Sequence, residues 1–301
     1  MEIKQDKAWQ QAISCLPPPR AAQLAALDRQ GEVEELRLRA GQPPAAKTAE
    51  GEQPLDLRPV TAQELRETLS RAARYSVHSY AESLKNGFVT LGGGHRLGVC
   101  GTVAEENGQV VGVRGLASLN LRIARQFTGL AAQIVPWIGD GAPQSVLLLS
   151  PPGLGKTTLL REWVRLISDK GYTVAVADER SEIAALADGV PQFDVGRCTD
   201  VMEGCDKKQA ALMLLKTMSP ALLAFDEITA PADVEAVSLC AHCGTAVIAS
   251  AHAANVDDLR QRPLYRALLE LGVFGRAVVI TRKGQERCYR MERLEEGTCS
   301  S

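Results

Sequence analysis

Short, nearly unbroken apolar runs recur through the second half of the chain and alternate with stretches of helical periodicity. They predict strands at 145–149, 173–177, 221–225, 245–250 and 277–282, with 287–291 as a candidate edge strand. Runs this short that are apolar on both faces read as strands of a parallel sheet covered by helices on each side. The helix from Leu159 to Ile167 follows the first strand. An earlier helix runs from about Phe127 to Ile138 and is separated from that strand by the loop 139–144.

The first half has a different texture. Pro17-Pro18-Pro19 interrupts an opening helix, and the alternating stretch 33–39 reads as a strand that stops at 40–44, where Gly and Pro cluster. Thr61 with Glu64 has the form of a capping box and opens a helix to about Arg74. Ser79 with Glu82 opens a second, ended near Gly87. Strands at 88–91, 96–103 and 110–113, with turns at Gly92-Gly93-Gly94 and Asn107-Gly108, form a small antiparallel meander. Alternation over 118–125 puts Arg122 on one face with Asn120. The expected organisation is a smaller α+β domain over residues 1–127 followed by an α/β domain with a mostly parallel sheet over 128–301.

The first strand of the α/β half runs directly into Ser150-Pro151-Pro152-Gly153-Leu154-Gly155-Lys156-Thr157-Thr158. This fits the phosphate-binding loop G-x-x-x-x-G-K-[ST] except for Ser150 at its first position. In such a loop successive backbone amides and a helix N-terminus face phosphate oxygens, the lysine reaches the β and γ phosphates, and the threonine hydroxyl holds Mg²⁺. Lys156 and Thr157 take those parts here. Four apolar residues then precede Asp226-Glu227. Asp226 is placed to hold the metal through water and Glu227 to polarise the attacking water, a pairing that favours hydrolysis over static binding.

Between these motifs an extra strand ends in Asp178-Glu179-Arg180, and its acids Asp178 and Glu179 are expected to face the nucleotide as catalytic candidates because strand C-termini gather at one edge of a parallel sheet. A later strand ends in Ser250-Ala251-His252, which puts His252 at the same sheet edge, where an imidazole can contact the γ phosphate. An added strand and a glutamate after the metal-binding aspartate are the pattern of a RecA-like, additional-strand P-loop ATPase domain. Absence of a guanine-reading Lys-x-Asp motif after the fourth strand favours ATP.

Composition narrows the partners. A formal net charge of -2, a pI near 6.2 and only 4% aromatic residues give no basic, aromatic surface for nucleic acid, so direct nucleic-acid binding is not expected. Eight scattered cysteines and a polar start, MEIKQDKAWQ, point to reduced thiols in the cytoplasm. Cys240-Ala-His-Cys243 has half the spacing of a zinc site but no second pair, and reads as inert. No stretch approaches the roughly 18 apolar residues of a membrane span, so membrane contact is expected to be peripheral, through protein partners.

With these motifs in place, the chain resembles the secretion ATPases of type II and type IV systems, and within them a sporulation branch. The resemblance rests on 150–158, Asp178-Glu179-Arg180, Asp226-Glu227 and Ser250-Ala251-His252, together with Gly92-Gly93-Gly94-His95-Arg96-Leu97-Gly98 and Leu121-Arg122-Ile123-Ala124-Arg125. It implies an ATP- and Mg²⁺-dependent ring, a hexamer, docked on membrane channel proteins between mother cell and forespore, with the first domain positioning subunits. It also implies an arginine acting on a neighbour's nucleotide, for which Arg122, Arg125, Arg180, Arg197 and Arg262 are candidates. A nucleic-acid-dependent RecA-like motor and a nucleotide-gated scaffold are the competing readings.

Overall fold

The computed structural model describes residues 6–73, 87–106, 109–125, 130–187, 189–284 and 286–294. The chain divides into two compact units: Met1–Arg125 with Ala185–Gln192, and Gln126–Ala184 with Phe193–Ser301.

The first unit opens with α1 (Lys7–Ile13), whose first amides are capped by the Asp6 carboxylate. Pro18 and Pro19 do more than interrupt a helix: they occupy the first turn of α2 (Pro18–Ala25), where a missing N–H costs nothing. The strand expected over 33–39 is β1 (Glu35–Arg39), and beyond it lies a hairpin absent from the sequence reading, β2 (Ala45–Thr48) with β3 (Gly51–Pro54). Strand β3 is short and three of its four residues are exposed, so it carries no apolar alternation to detect. The capping box at Thr61 and Glu64 exists in both directions, at 2.9 and 3.1 Å, and starts α3 (Ala62–Ala73). The helix expected from Ser79 lies outside the described residues.

Strands β4 (Phe88–Thr90), β5 (Arg96–Glu106) and β6 (Gln109–Arg122) complete a six-stranded sheet ordered β3-β2-β1-β6-β5-β4, antiparallel throughout. The segments 110–113 and 118–125, expected as separate, are largely one strand. Gly115, at φ +58°, absorbs an irregularity that would otherwise end the pairing. The sheet and helices close over Trp9, Leu16, Leu24, Leu36, Leu97 and Leu121, all fully buried.

In the second unit, α4 (Ala131–Ile138) precedes β7 (Val146–Leu149), and α5 (Lys156–Asp169) follows it. Then come β8 (Val174–Asp178), β11 (Thr199–Glu203), α6 (Lys207–Thr217), β12 (Leu222–Phe225), α7 (Pro231–His242) and β13 (Ala246–Ala251). After these come α8 (Val256–Gln261), α9 (Pro263–Glu270), β14 (Arg276–Lys283) and β15 (Glu286–Arg293). The two-residue strands β9 (Leu186–Ala187) and β10 (Val190–Pro191) pair as a ribbon in the stretch grouped with the first unit.

The sheet order is β11-β8-β12-β13-β7-β14-β15, parallel except for the edge strand β15. Every residue of β7, β8 and β12 is buried, as their continuous apolar runs require when helices cover both faces. Strand β11 escaped prediction because Thr199, Asp200 and Glu203 make it polar, and its partly exposed edge position tolerates that. Parallel pairing gathers the C-terminal ends of β7, β8, β12 and β13 at one edge, where every motif of the second unit lies.

Candidate nucleotide site

The loop after β7 enters α5 through glycines in conformations that L side chains rarely adopt: Gly153 at φ +79° and Gly155 at φ +90°. Gly155 is the N-cap of α5 and supplies no side-chain oxygen, so the first amides of a 14-residue helix are left without a capping side chain. Leu159, Leu160, Trp163, Val164 and Ile167 anchor that helix in the core and fix where its N-terminus points. An uncapped helix start with positive-φ glycines is a concave set of N–H donors, and its charge preference is for an anion. The hydroxyl of Ser150, fully buried, donates to its neighbour's Pro151 carbonyl at 2.7 Å, so the missing first glycine leaves the loop closed on itself.

Lys156 is 7% exposed and donates to the Ser150 carbonyl at 3.3 Å, and among the described residues it has no ion pair. Burial pushes its ammonium below the ordinary lysine value, while the charges of Asp226 and Glu227 pull the other way. Its second partner is His252 Nδ1, at 2.8 Å, and His252 Nε2 stands 2.8 Å from Glu227 Oε1. A lysine ammonium has only donors, so Nδ1 must accept, and the ring proton then sits on Nε2, donating to the carboxylate. The other Glu227 oxygen pairs with Arg180 Nη1 at 3.0 Å. Lys156, His252, Glu227 and Arg180 thus form one chain of polar contacts drawn from four segments.

A second network runs beneath it. Thr157 Oγ1 donates to Asp226 Oδ2 at 2.6 Å, and the fully buried Ser250 donates its hydroxyl to Asp226 Oδ1 at 2.8 Å while accepting the Glu227 amide at 2.9 Å. Glu227 holds φ +49°, a left-handed conformation costing a non-glycine residue about 1 kcal/mol or more. Ser250, on β13 between β7 and β12, is what lets an acid two strands away meet Thr157. Hydroxyl and carboxylate oxygens at this spacing are hard donors of the kind Mg²⁺ prefers.

Asp178, Glu179 and Arg180 line a small cavity together with Asp226 and Glu227, and each remaining candidate also has partners of its own. The Asp178 carboxylate, 1% exposed, accepts the amides of Glu182, Ile183 and Ala184 at 2.8–3.1 Å and so holds the loop after β8. Glu179 pairs with the buried Lys207 at 2.5 Å, and Lys207 also approaches Asp233 at 3.7 Å. Arg262 pairs with Asp258 at 3.1 Å, and Arg197 is exposed. In the first unit, Arg125 pairs with Asp6 at 2.8 Å and donates to the carbonyls of Gln30 and Val33, while the exposed Arg122 lies 3.9 Å from Glu35. Cys240 is buried in the core and its thiol is pushed up to about 12 by burial; Cys243 is exposed.

Three residues escaped the sequence reading. Arg161, 6% exposed, donates to the carbonyls of Ile183 and Glu182 at 2.6 Å and lies over the Phe193 ring at 4.0 Å. Burial pushes its guanidinium down to about 10 against the opposing charge of Asp178. An arginine inside the apolar run of α5 was the available signal for it. Lys207 and Arg287 gave none: Lys207 follows a helix cap, and Arg287 sits on an exposed strand.

These features define a RecA-like fold of the kind found in secretion and pilus ATPases. The pilus retraction motor PilT, solved with ADP, superposes with a TM-score of 0.61 at 17% identity, over 88% of this chain and 80% of that one. The ATPase DotB of Legionella pneumophila gives 0.55 at 14% identity, over 87% and 76%. At such identities the likeness is one of fold.

The sequence relationship is closer. Residues 22–291 match the family described as sporulation stage III, protein AA, and the chain belongs to that family. Stage III sporulation protein AA of Bacillus subtilis (strain 168) is 38% identical over 257 residues, 83% of each chain. Protein SEEDLING PLASTID DEVELOPMENT 1 of Arabidopsis thaliana is 26% identical over 260 residues, 85% of this chain but 35% of that longer protein.

Proposed function

We propose that this sporulation stage III protein binds Mg²⁺-ATP at the loop after β7 and hydrolyses it, driving domain motion in a ring, a hexamer, docked on the membrane channel proteins of a transenvelope complex in endospore formation. The observation that carries the reading is the meeting of Lys156, Thr157, Asp226, Glu227 and His252 at one sheet edge, from three strand ends, within hydrogen-bond distance of one another. Among the described residues no helix is long and apolar enough to cross a membrane. That fits a cytoplasmic protein held at the membrane by its partners.

In this reading, the loop 150–158 wraps the phosphates with its amides. Lys156, already stripped of much of its water and lacking a carboxylate partner, exchanges His252 for a phosphate oxygen. Thr157 and Asp226 would hold Mg²⁺, which supplies charge neutralisation along the polyphosphate. Glu227, held by Ser250 through its amide, turns its carboxylate to a water and orients it for attack. His252, released by Lys156, is placed to turn its Nε2–H from Glu227 to the terminal phosphate, which frees the carboxylate for the water. Asp178 positions the loop that carries Arg180.

Lys156→Ala is expected to lose nucleotide binding, and Glu227→Gln to bind magnesium-ATP like the parent with hydrolysis reduced by about 10²-fold or more. Calorimetry and phosphate release on the purified full chain measure both. Unimpaired turnover by Glu227→Gln would remove the base assignment.

A further inference from the structure

Resting on that reading of the site, we propose that Arg287, on the last strand of the same chain, is a phosphate-binding residue that closes over the α/β end of the polyphosphate. Strand β14 is level with the end of β7 at Val279, opposite Leu149, and continues to Lys283 before turning into β15. Arg287 pairs across with Arg282, three positions past Val279, so it overhangs the end of β7 by about 10 Å at 3.3 Å per residue. That overhang brings its side chain onto the loop.

The contact is close. A Cβ on Gly155 would lie 3.1 Å from Arg287 Nη1, 3.2 Å from Cζ and 3.6 Å from Nε. Three guanidinium atoms within half an ångström of the same distance mean that the plane lies across the glycine roughly face-on, with its N–H edges turned away from the glycine. Gly155 is therefore required twice, for its φ of +90° and for the room it leaves the arginine.

The electrostatics have one sign. The guanidinium sits at the positive end of α5, whose first amides have no capping side chain, in the loop that also carries the buried Lys156. Among the described residues Arg287 has no ion pair, although β15 offers carboxylates at Glu286 and Glu292, the latter taken by Arg290. Its side chain hydrogen-bonds Tyr289, two positions along the same face, which leaves further N–H donors of the guanidinium for an anion. Burial pushes that phenol above its ordinary value, and the Arg287 charge opposes the shift. A cation parked against a helix N-terminus is repelled by it, and an anion between them turns the repulsion into two attractions. The amides of such a loop take the α and β phosphates, so the anion that fits is a nucleoside diphosphate or triphosphate.

The test measures affinity of the full chain for magnesium-ADP, which avoids turnover, and for inorganic tripolyphosphate as competitor. Losing a charge-assisted contact, Arg287→Ala should weaken both by roughly tenfold or more, and Arg287→Lys should recover part of the loss because it restores the charge without the fork. Melting without ligand should match the parent, because the side chain is exposed. Parent-like ADP affinity in Arg287→Ala overturns the proposal and leaves the nucleotide site standing. Weakened ADP binding with tripolyphosphate affinity equal in parent and variant also overturns it, moving the contact to the base or ribose. No ADP binding by the parent removes the underlying reading as well.

Discussion

Asp178→Asn separates a loop-holding part from a chemical one. The carboxylate accepts three amides: Oδ1 takes Glu182 at 2.8 Å and Ile183 at 3.1 Å, while Oδ2 takes Ile183 at 3.1 Å and Ala184 at 2.8 Å. Asparagine has the same shape but can accept on one side only, so its NH₂ would face an N–H that the loop cannot turn away. The bond lost was charge-assisted, worth about 1.5–3 kcal/mol, and the orphaned buried amide costs about 1–3 kcal/mol more. Arg161, buried beside the same loop, also loses an opposing charge. The loop has little slack, since the non-glycine residues Ser181 and Ala185 on either side hold φ of +54° and +51°. The expected loss is therefore about 3–5 kcal/mol, read from urea unfolding followed by the fluorescence of the buried Trp163. A loss below about 1 kcal/mol would refute this account, and intact stability with abolished hydrolysis would return Asp178 to the chemistry.

Other perturbations follow from local geometry. His95 is fully buried, accepts the Ala124 amide on Nδ1 at 3.0 Å, and is pushed down to about 4 by burial. With an unfolded value of 6.5, the unfolded chain binds the extra proton, so stability is lost as pH falls from 6.5 through 4, by about 2 kcal/mol between pH 7 and 5. Urea titrations at the two pH values should show the drop, and His95→Gln should flatten it; an unchanged slope assigns the effect to other groups. Gly196→Ala puts a Cβ at φ +86°, 2.5 Å from Ser168 Cβ and 2.9 Å from the Arg165 carbonyl oxygen. Backbone strain plus overpacking is expected to cost about 2–4 kcal/mol, and a melting temperature within a degree of the parent would contradict it.

The legibility of this chain was uneven for reasons visible in particular residues. Five strands of the second unit were read close to their observed bounds because burial on both faces writes a continuous apolar run such as Val146-Leu147-Leu148-Leu149. Strands β3 and β11 were missed because edge positions and exposed faces do not impose that code, and β2 because its four residues, Ala45-Ala46-Lys47-Thr48, carry no apolar alternation. The motif residues were readable by type and spacing, which is local information: a glycine-rich turn, a lysine, an acid after an apolar strand.

What the sequence by itself determined is the set of chemical groups and the parallel α/β frame that delivers them to one edge, since strand periodicity and turn chemistry are properties of neighbours along the chain. Only the tertiary structure decided which groups touch. The order β8-β12-β13-β7-β14-β15 puts Ser250 between Asp226 and the loop, and brings Arg287 back over Gly155 from 132 residues away, while the Asp178 carboxylate is taken up by the amides of 182–184. Strand order is fixed by crossovers and by packing of faces that are all apolar alike, so no short stretch of residues encodes it.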